Sequence, residues 1–171
     1  MDKYALINYG IKLGSKVLGI SEPSVVFVGN DVFGSSKINA MFLPEESSIV
    51  FNEYWVEEAL DIEILITCFH ELRHTFQYKS ISNQHIGDEQ IDSNKISLWK
   101  KEFDSYKQSR GDLVAEDEEY LLQDIEVDAI AFAHFMIKSL FDQRTYVPDI
   151  LKSLVSDRVE LFKLSYTLLE Q

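Results

Sequence analysis

Five consecutive residues, His70-Glu71-Leu72-Arg73-His74, concentrate the reactive side chains of this sequence. On a helix each residue advances by about 100°, so His70 and His74 stand one turn apart on one face, where both imidazoles can reach a single tetrahedral metal ion. Glu71 lies beside His70 and about a turn before His74, which lets its carboxylate touch a metal-bound water without ligating the metal. That is the geometry of a general base, and Zn2+ is the cofactor it implies. The competing reading is a solvated surface patch of His and Glu.

A catalytic zinc site takes three protein ligands and leaves a fourth position for water. Downstream, Glu126-Val127-Asp128-Ala129-Ile130-Ala131-Phe132-Ala133 sets two carboxylates in an otherwise apolar helical stretch. Buried carboxylates are costly unless paired or metal-bound. Glu126 is the first candidate for the third ligand: it shares a face with Ala129, Ile130 and Ala133, small or apolar residues that let two helices approach. Asp128, about 200° around the helix, suits a supporting hydrogen bond to the far nitrogen of His70 or His74. The alternative for Glu126 and Asp128 is a pair of acids at the helix's exposed edge, solvated or paired to Lys or Arg, and Asp124 is the reserve ligand or a second supporting partner. His134, Tyr120, His85 and Tyr106 are candidate oxyanion donors. His134 equally suits a core histidine bonded to backbone, and Cys68 reads as a packed thiol.

The elements that must hold these groups follow from pattern. Tyr4 to Leu18 is a loose amphipathic helix ended by Gly19, and Ser24 to Gly29 is a short strand. Lys37 to Leu43 and Ser48 to Asn52, joined by Pro44-Glu45-Glu46-Ser47, form a hairpin, so a small antiparallel sheet is expected. From Glu57 to Tyr78, Ile62, Leu65, Phe69, Leu72 and Phe76 recur at steps of three and four, defining the helix that carries the histidines. Ser80 to Asn94 reads as a loop or flap. Trp99, Phe103 and Tyr106 read as a helical core stripe, Glu116 to Phe141 as a second long, buried helix, and Val147 to Leu169 as one or two closing helices.

A length of 171 residues, with 46% hydrophobic and 26% charged, fits one globular domain spanning 1–171. The net charge of -13 argues against nucleic acid or anionic membrane as partners. No run approaches the roughly 20 apolar residues of a membrane span, the start lacks a signal-peptide pattern, and the single Cys68 suits a reducing compartment. A cytoplasmic protein is expected.

Taken together, His70-Glu71-x-x-His74 followed by Glu126-x-Asp128-Ala129-x-x-Phe132-Ala133 resembles the minimal gluzincins, especially ImmA/IrrE-type metallopeptidases, over roughly residues 24–141. Asp128 takes a position often held by Glu in that family, Ile130 stands where Asn or Asp is usual, and Arg73 stands where Gly is common. The resemblance implies an α+β, zincin-like fold with a small antiparallel sheet on an active-site helix and a helical C-terminal half. It also implies Glu126 as third ligand and hydrolysis of peptide bonds in an intracellular protein or peptide substrate. In that fold type substrate adds as a strand beside the active helix, here along Lys37 to Leu43 or Ser48 to Asn52. The alternative is a non-catalytic zinc-binding regulatory or protein-interaction domain of the same fold.

Overall fold

The computed structural model describes residues 2–33, 38–82, 89, 91–109 and 117–166. Its order is α1 (Lys3–Leu18), β1 (Ser24–Val28), α2 (Asn30–Phe33), β2 (Ala40–Leu43), β3 (Ser48–Asn52), α3 (Glu53–Glu58), α4 (Asp61–Ile81), α5 (Ser93–Asp104), α6 (Glu118–Leu121), α7 (Asp124–Phe141), a 3-10 turn Asp149–Leu151, and α8 (Lys152–Ser165). The chain is therefore α+β, as its patterns predict. Among the described residues no helix is long and apolar enough to cross a membrane.

The expected hairpin is present: β2 and β3 pair antiparallel with Leu43 opposite Ser48 and a four-residue turn between them. The sheet as a whole is not antiparallel. β1 pairs parallel to β3, giving the order β1-β3-β2 in a three-stranded mixed sheet. The composition of β3 accounts for its central place, because Ser48, Ile49, Val50, Phe51 and Asn52 are all buried, and a strand covered on both faces needs a partner on each edge. The antiparallel expectation fails because a hairpin pattern identifies β2–β3 pairing and carries no information on which edge β1 joins.

The histidine helix starts at Asp61, later than the Glu57 expected from the sequence, although its apolar stripe from Ile62 onward lies within it. Residues 53–58 form the separate helix α3, and the chain turns at Ala59-Leu60, where Leu60 is extended and its N–H donates to the Glu63 carboxylate at 2.8 Å. Such a bond satisfies a donor that the first turn of a helix cannot pair. From Asp61, α4 runs to Ile81, past the Ser80 start expected for the loop. Leu65, Phe69, Leu72 and Phe76 face the core as their spacing requires.

Against this stripe lies α1. A Cβ at Gly14 would stand 2.5 Å from Leu72 Cδ1 and 3.1 Å from Phe69 Cδ1, and one at Gly10 would stand 3.2 Å from Cys68 Cβ. The two glycines let α1 seat close behind the histidine helix. Cys68 is a packed thiol as expected, fully buried in that contact.

The second long helix is also divided. α6 ends at Leu121, and α7 begins at Asp124 after an extended Gln123. Gln123 bonds both the N–H and the carbonyl of Lys107, at 2.8 and 2.9 Å, which draws the chain after α5 against the start of α7. The cap of α7 comes from another helix: Glu102 of α5 accepts from the N–H groups of Asp124 and Ile125, each at 3.0 Å. A carboxylate here satisfies orphan donors and meets the positive end of the helix dipole.

Candidate metal centre

α4 and α7 cross so that His70, His74 and Glu126 meet. His70 Nε2 and His74 Nε2 are 3.0 Å apart, His74 Nε2 is 3.3 Å from Glu126 Oε1, and His70 Nε2 is 3.4 Å from Glu126 Oε2. Ligands about 2.0–2.1 Å from a tetrahedral ion stand about 3.3 Å from one another. Each imidazole thus stands at about that spacing from the other and from one oxygen of Glu126, His74 from Oε1 and His70 from Oε2, and one ligand atom from each of the three residues lies within 4.8 Å of the other two.

The chemistry of the donors fits as well. Glu126 is fully buried, and its Oε2 has no hydrogen-bond partner among the described residues. An unsatisfied buried carboxylate oxygen is costly, and a cation beside it removes the penalty. Its other oxygen, Oε1, accepts from the Tyr106 hydroxyl at 2.7 Å. Burial alone would lower the His74 pKa, but the Glu126 carboxylate, with Glu71 and Gln77, raises it to about 9. Burial would likewise raise that of Glu126, but His74 and His70 bring it well below the usual carboxylate range. The pocket is built around a positive charge, which a proton or a metal ion can supply.

Glu71 is buried, and its charge acts on His74, Tyr106 and Tyr120 as well as on Cys68. Burial, then Glu126, pushes the phenol pKa of both tyrosines well up, so each is a neutral donor. Their rings meet edge to face with centroids 6.2 Å apart. The His70 side chain is 19% exposed against 9% for His74, so the site opens on the His70 side.

Not every candidate residue comes here. Asp124 accepts from Trp99 Nε1 at 2.8 Å and pairs with Arg158, so its carboxylate is committed away from the imidazoles. Asp128 touches neither histidine. It accepts from Arg73 Nε at 2.6 Å, Gln77 Nε2 at 3.0 Å and Lys95 Nζ at 3.1 Å, and the far nitrogen of His74 instead faces Gln77 Oε1 at 2.9 Å. The reason is reach: a fully buried Arg73 one residue before His74 attracts the carboxylate more strongly than a neutral ring could. His134 bonds the Thr145 hydroxyl at 2.8 Å, beyond the end of α7, and is no oxyanion donor for this centre. His85 lies outside the described residues.

Tyr106 and Gln77 are the site residues that pattern reading misjudged or passed over. Trp99 is buried core as its spacing implies, but α5 ends at Asp104, and Tyr106, one residue past its C-cap, turns its hydroxyl to Glu126 rather than continuing the stripe. Gln77 sits three residues after His74, on the same helix face, a position the i, i+3 rule marks.

Arg73 has its own surroundings. Besides Asp128 it donates to both oxygens of Glu89, at 2.6 and 2.8 Å, and to the Tyr166 hydroxyl at 3.0 Å. Its guanidinium carbon lies 4.3 Å from the Phe76 ring centroid and 4.7 Å from that of Phe162. Comparison with protein-family models, curated proteins and solved structures finds no significant match to this chain.

Proposed function

We propose that this chain is a zinc-dependent peptidase of a minimal zincin-like fold, similar to the ImmA/IrrE-type enzymes, with His70, His74 and Glu126 as ligands and Glu71 as general base. The observation that carries the reading is the convergence of two imidazole nitrogens, 3.0 Å apart, on one buried carboxylate, whose Oε1 lies 3.3 Å from His74 Nε2 and whose Oε2, without a hydrogen-bond partner among the described residues, lies 3.4 Å from His70 Nε2. Two histidines and a carboxylate also serve iron in oxygenases. The general-base position of Glu71 next to His70 favours hydrolysis.

Zinc bound here would supply a Lewis acid that polarises a peptide carbonyl and makes a water acidic near neutral pH. Glu71 takes the proton of the attacking water and returns it to the departing amine nitrogen. Tyr106 holds Glu126 through one oxygen, leaving the other for the metal. Among the described residues Tyr120, whose ring packs on Tyr106, is the remaining candidate for stabilising charge on the carbonyl oxygen. Substrate would add as a strand to β2, which is an edge of the sheet packed beside α4; β3 is central and has no free edge. An intracellular protein or peptide is the substrate class.

Metal analysis of purified protein, with His70→Ala/His74→Ala as control, tests the centre: stoichiometric zinc lost in the variant is expected, and iron or no metal would overturn it. Comparison of cellular peptide profiles between wild type and Glu71→Gln tests hydrolysis. Profiles that cannot be told apart, with zinc retained, would leave a zinc-binding regulatory domain in place of an enzyme.

A further inference from the structure

Gln77 occupies a place that packing alone does not explain. Its amide is fully buried between α4 and α7, with every polar atom matched to a specific neighbour. Nε2 lies 3.0 Å from the Ile125 carbonyl oxygen and 3.0 Å from Asp128 Oδ2. Both are acceptors only, since the Asp128 carboxylate is held ionised by Arg73 and Lys95. Reversing the amide would set an oxygen against two oxygens, so its orientation is fixed by its neighbours. Oε1 must therefore face His74 Nδ1, 2.9 Å away. An amide oxygen can only accept, so Nδ1 must carry a proton.

We propose that Gln77 is a positioning residue that holds His74 in its Nδ1–H tautomer, so that Nε2 is the only nitrogen the ring can offer a metal. The effective motif then extends from His70 and His74 to Gln77, locked from α7 by the Ile125 carbonyl and by Asp128. The lock reaches the ring from the same stretch of α7 that carries Glu126, so one amide sets both the ring's tautomer and its angle to the third ligand. Arg73 supports it at one remove, because its Nε and Gln77 Nε2 share the same Asp128 oxygen. Supporting hydrogen bonds of this kind orient ligating histidines and raise their basicity. The inference rests on the metal-site reading above, but its first readout does not require a metal.

The test uses the full chain with 15N-labelled histidine and reads which ring nitrogen of His74 is protonated, by long-range 1H–15N correlation at alkaline pH, where the rings are neutral. Zinc affinity is measured in parallel by chelator competition. The variants are Gln77→Met, which keeps length and packing but removes both hydrogen-bonding ends, and Gly14→Val, which strains the fold from the opposite side of α4. In wild type the proton is expected on Nδ1. Gln77→Met should populate the other tautomer and weaken zinc roughly 10- to 100-fold, while Gly14→Val, assayed where it is folded, should leave both at wild-type values. A wild-type ring protonated on Nε2, or Gln77→Met binding zinc as wild type does, would overturn the inference. Equal weakening by Gly14→Val would reduce Gln77 to a structural staple. A wild-type chain that takes up no zinc sinks the metalloenzyme reading instead, and the tautomer readout still decides whether Gln77 sets the ring.

Discussion

Replacing Arg73 by Met leaves the hydrocarbon of the side chain in place and removes a cation shared by two carboxylates. Arg73 is fully buried, and its partners Asp128 and Glu89 have side chains only 1% and 10% exposed. Breaking a buried pair by deleting one member costs about 3–5 kcal/mol, because the other charge stays behind unpaired. Here Asp128 keeps Lys95 at 3.1 Å and Gln77 at 3.0 Å, whereas Glu89 keeps the Tyr166 hydroxyl. The expected loss is therefore in the lower part of that range, about 3–4 kcal/mol, a large share of the ~5–15 kcal/mol typical of a domain. At roughly 2–4 °C per kcal/mol for this size, the melting temperature should fall by roughly 6–16 °C. Urea unfolding in the presence of a chelator measures the effect without any contribution from bound ion. The same experiment on Arg73→Met/Asp128→Asn/Glu89→Gln should recover most of the loss, since a neutral set leaves no orphaned charge. A single variant within about 1 kcal/mol of wild type, or a triple variant as costly as the three single changes added, would refute the reasoning.

Tyr106→Phe removes one hydroxyl from Glu126 and should weaken zinc by roughly tenfold or more at unchanged helix content, checked by chelator competition with circular dichroism. Gly14→Val forces a side chain into the α1–α4 contact and should destabilise by about 1–3 kcal/mol in urea unfolding. Burial would raise the Asp128 pKa, but Arg73 and Lys95 hold it well below the usual carboxylate range. Its contribution to stability is thus complete above the unfolded-state pKa of about 3.9 and drains away as pH falls below that value. Asp128→Asn should flatten the acid limb of the stability curve, read by urea midpoints across that range. Zinc at a hundredfold excess over its dissociation constant should add about 2.7 kcal/mol of stability in wild type and little in Glu126→Ala, seen as a thermal shift.

How far the sequence reveals this arrangement depends on the range of the interaction. His70, Glu71 and His74 are read from spacing within one helix, and the flanking stripe of Leu65, Phe69, Leu72 and Phe76 fixes which face is buried. Glu126 was reachable because a carboxylate inside an apolar helix demands a partner. Asp124 and Asp128 satisfy the same demand with Arg158, Trp99, Arg73 and Lys95, and composition cannot rank those partners against an imidazole. Tyr106 reads in the sequence as an oxyanion donor or a core-stripe residue, and its bond to Glu126 is hidden by a helix end: the stripe Trp99-Phe103-Tyr106 keeps its period, whereas the backbone leaves the helix after Asp104. The breaks at Ala59-Leu60 and Leu122-Gln123 escape for a similar reason, since Glu63 and Glu102 make them by side-chain capping inside patterns that otherwise continue. The parallel placement of β1 is a property of the whole sheet and leaves no trace in its five residues.

Glu126 lies within the first turn of α7, and that turn is held shut by a carboxylate lent from α5 rather than by its own N-cap residue. Helix ends fray before their middles do, so whatever lifts α5 from the body of the molecule would also loosen the backbone amides of Asp124 and Ile125. Tyr106, a few residues beyond Glu102, would leave with it. Opening of the centre is thereby tied to the undocking of one twelve-residue helix, and amide exchange at those two positions should keep time with it.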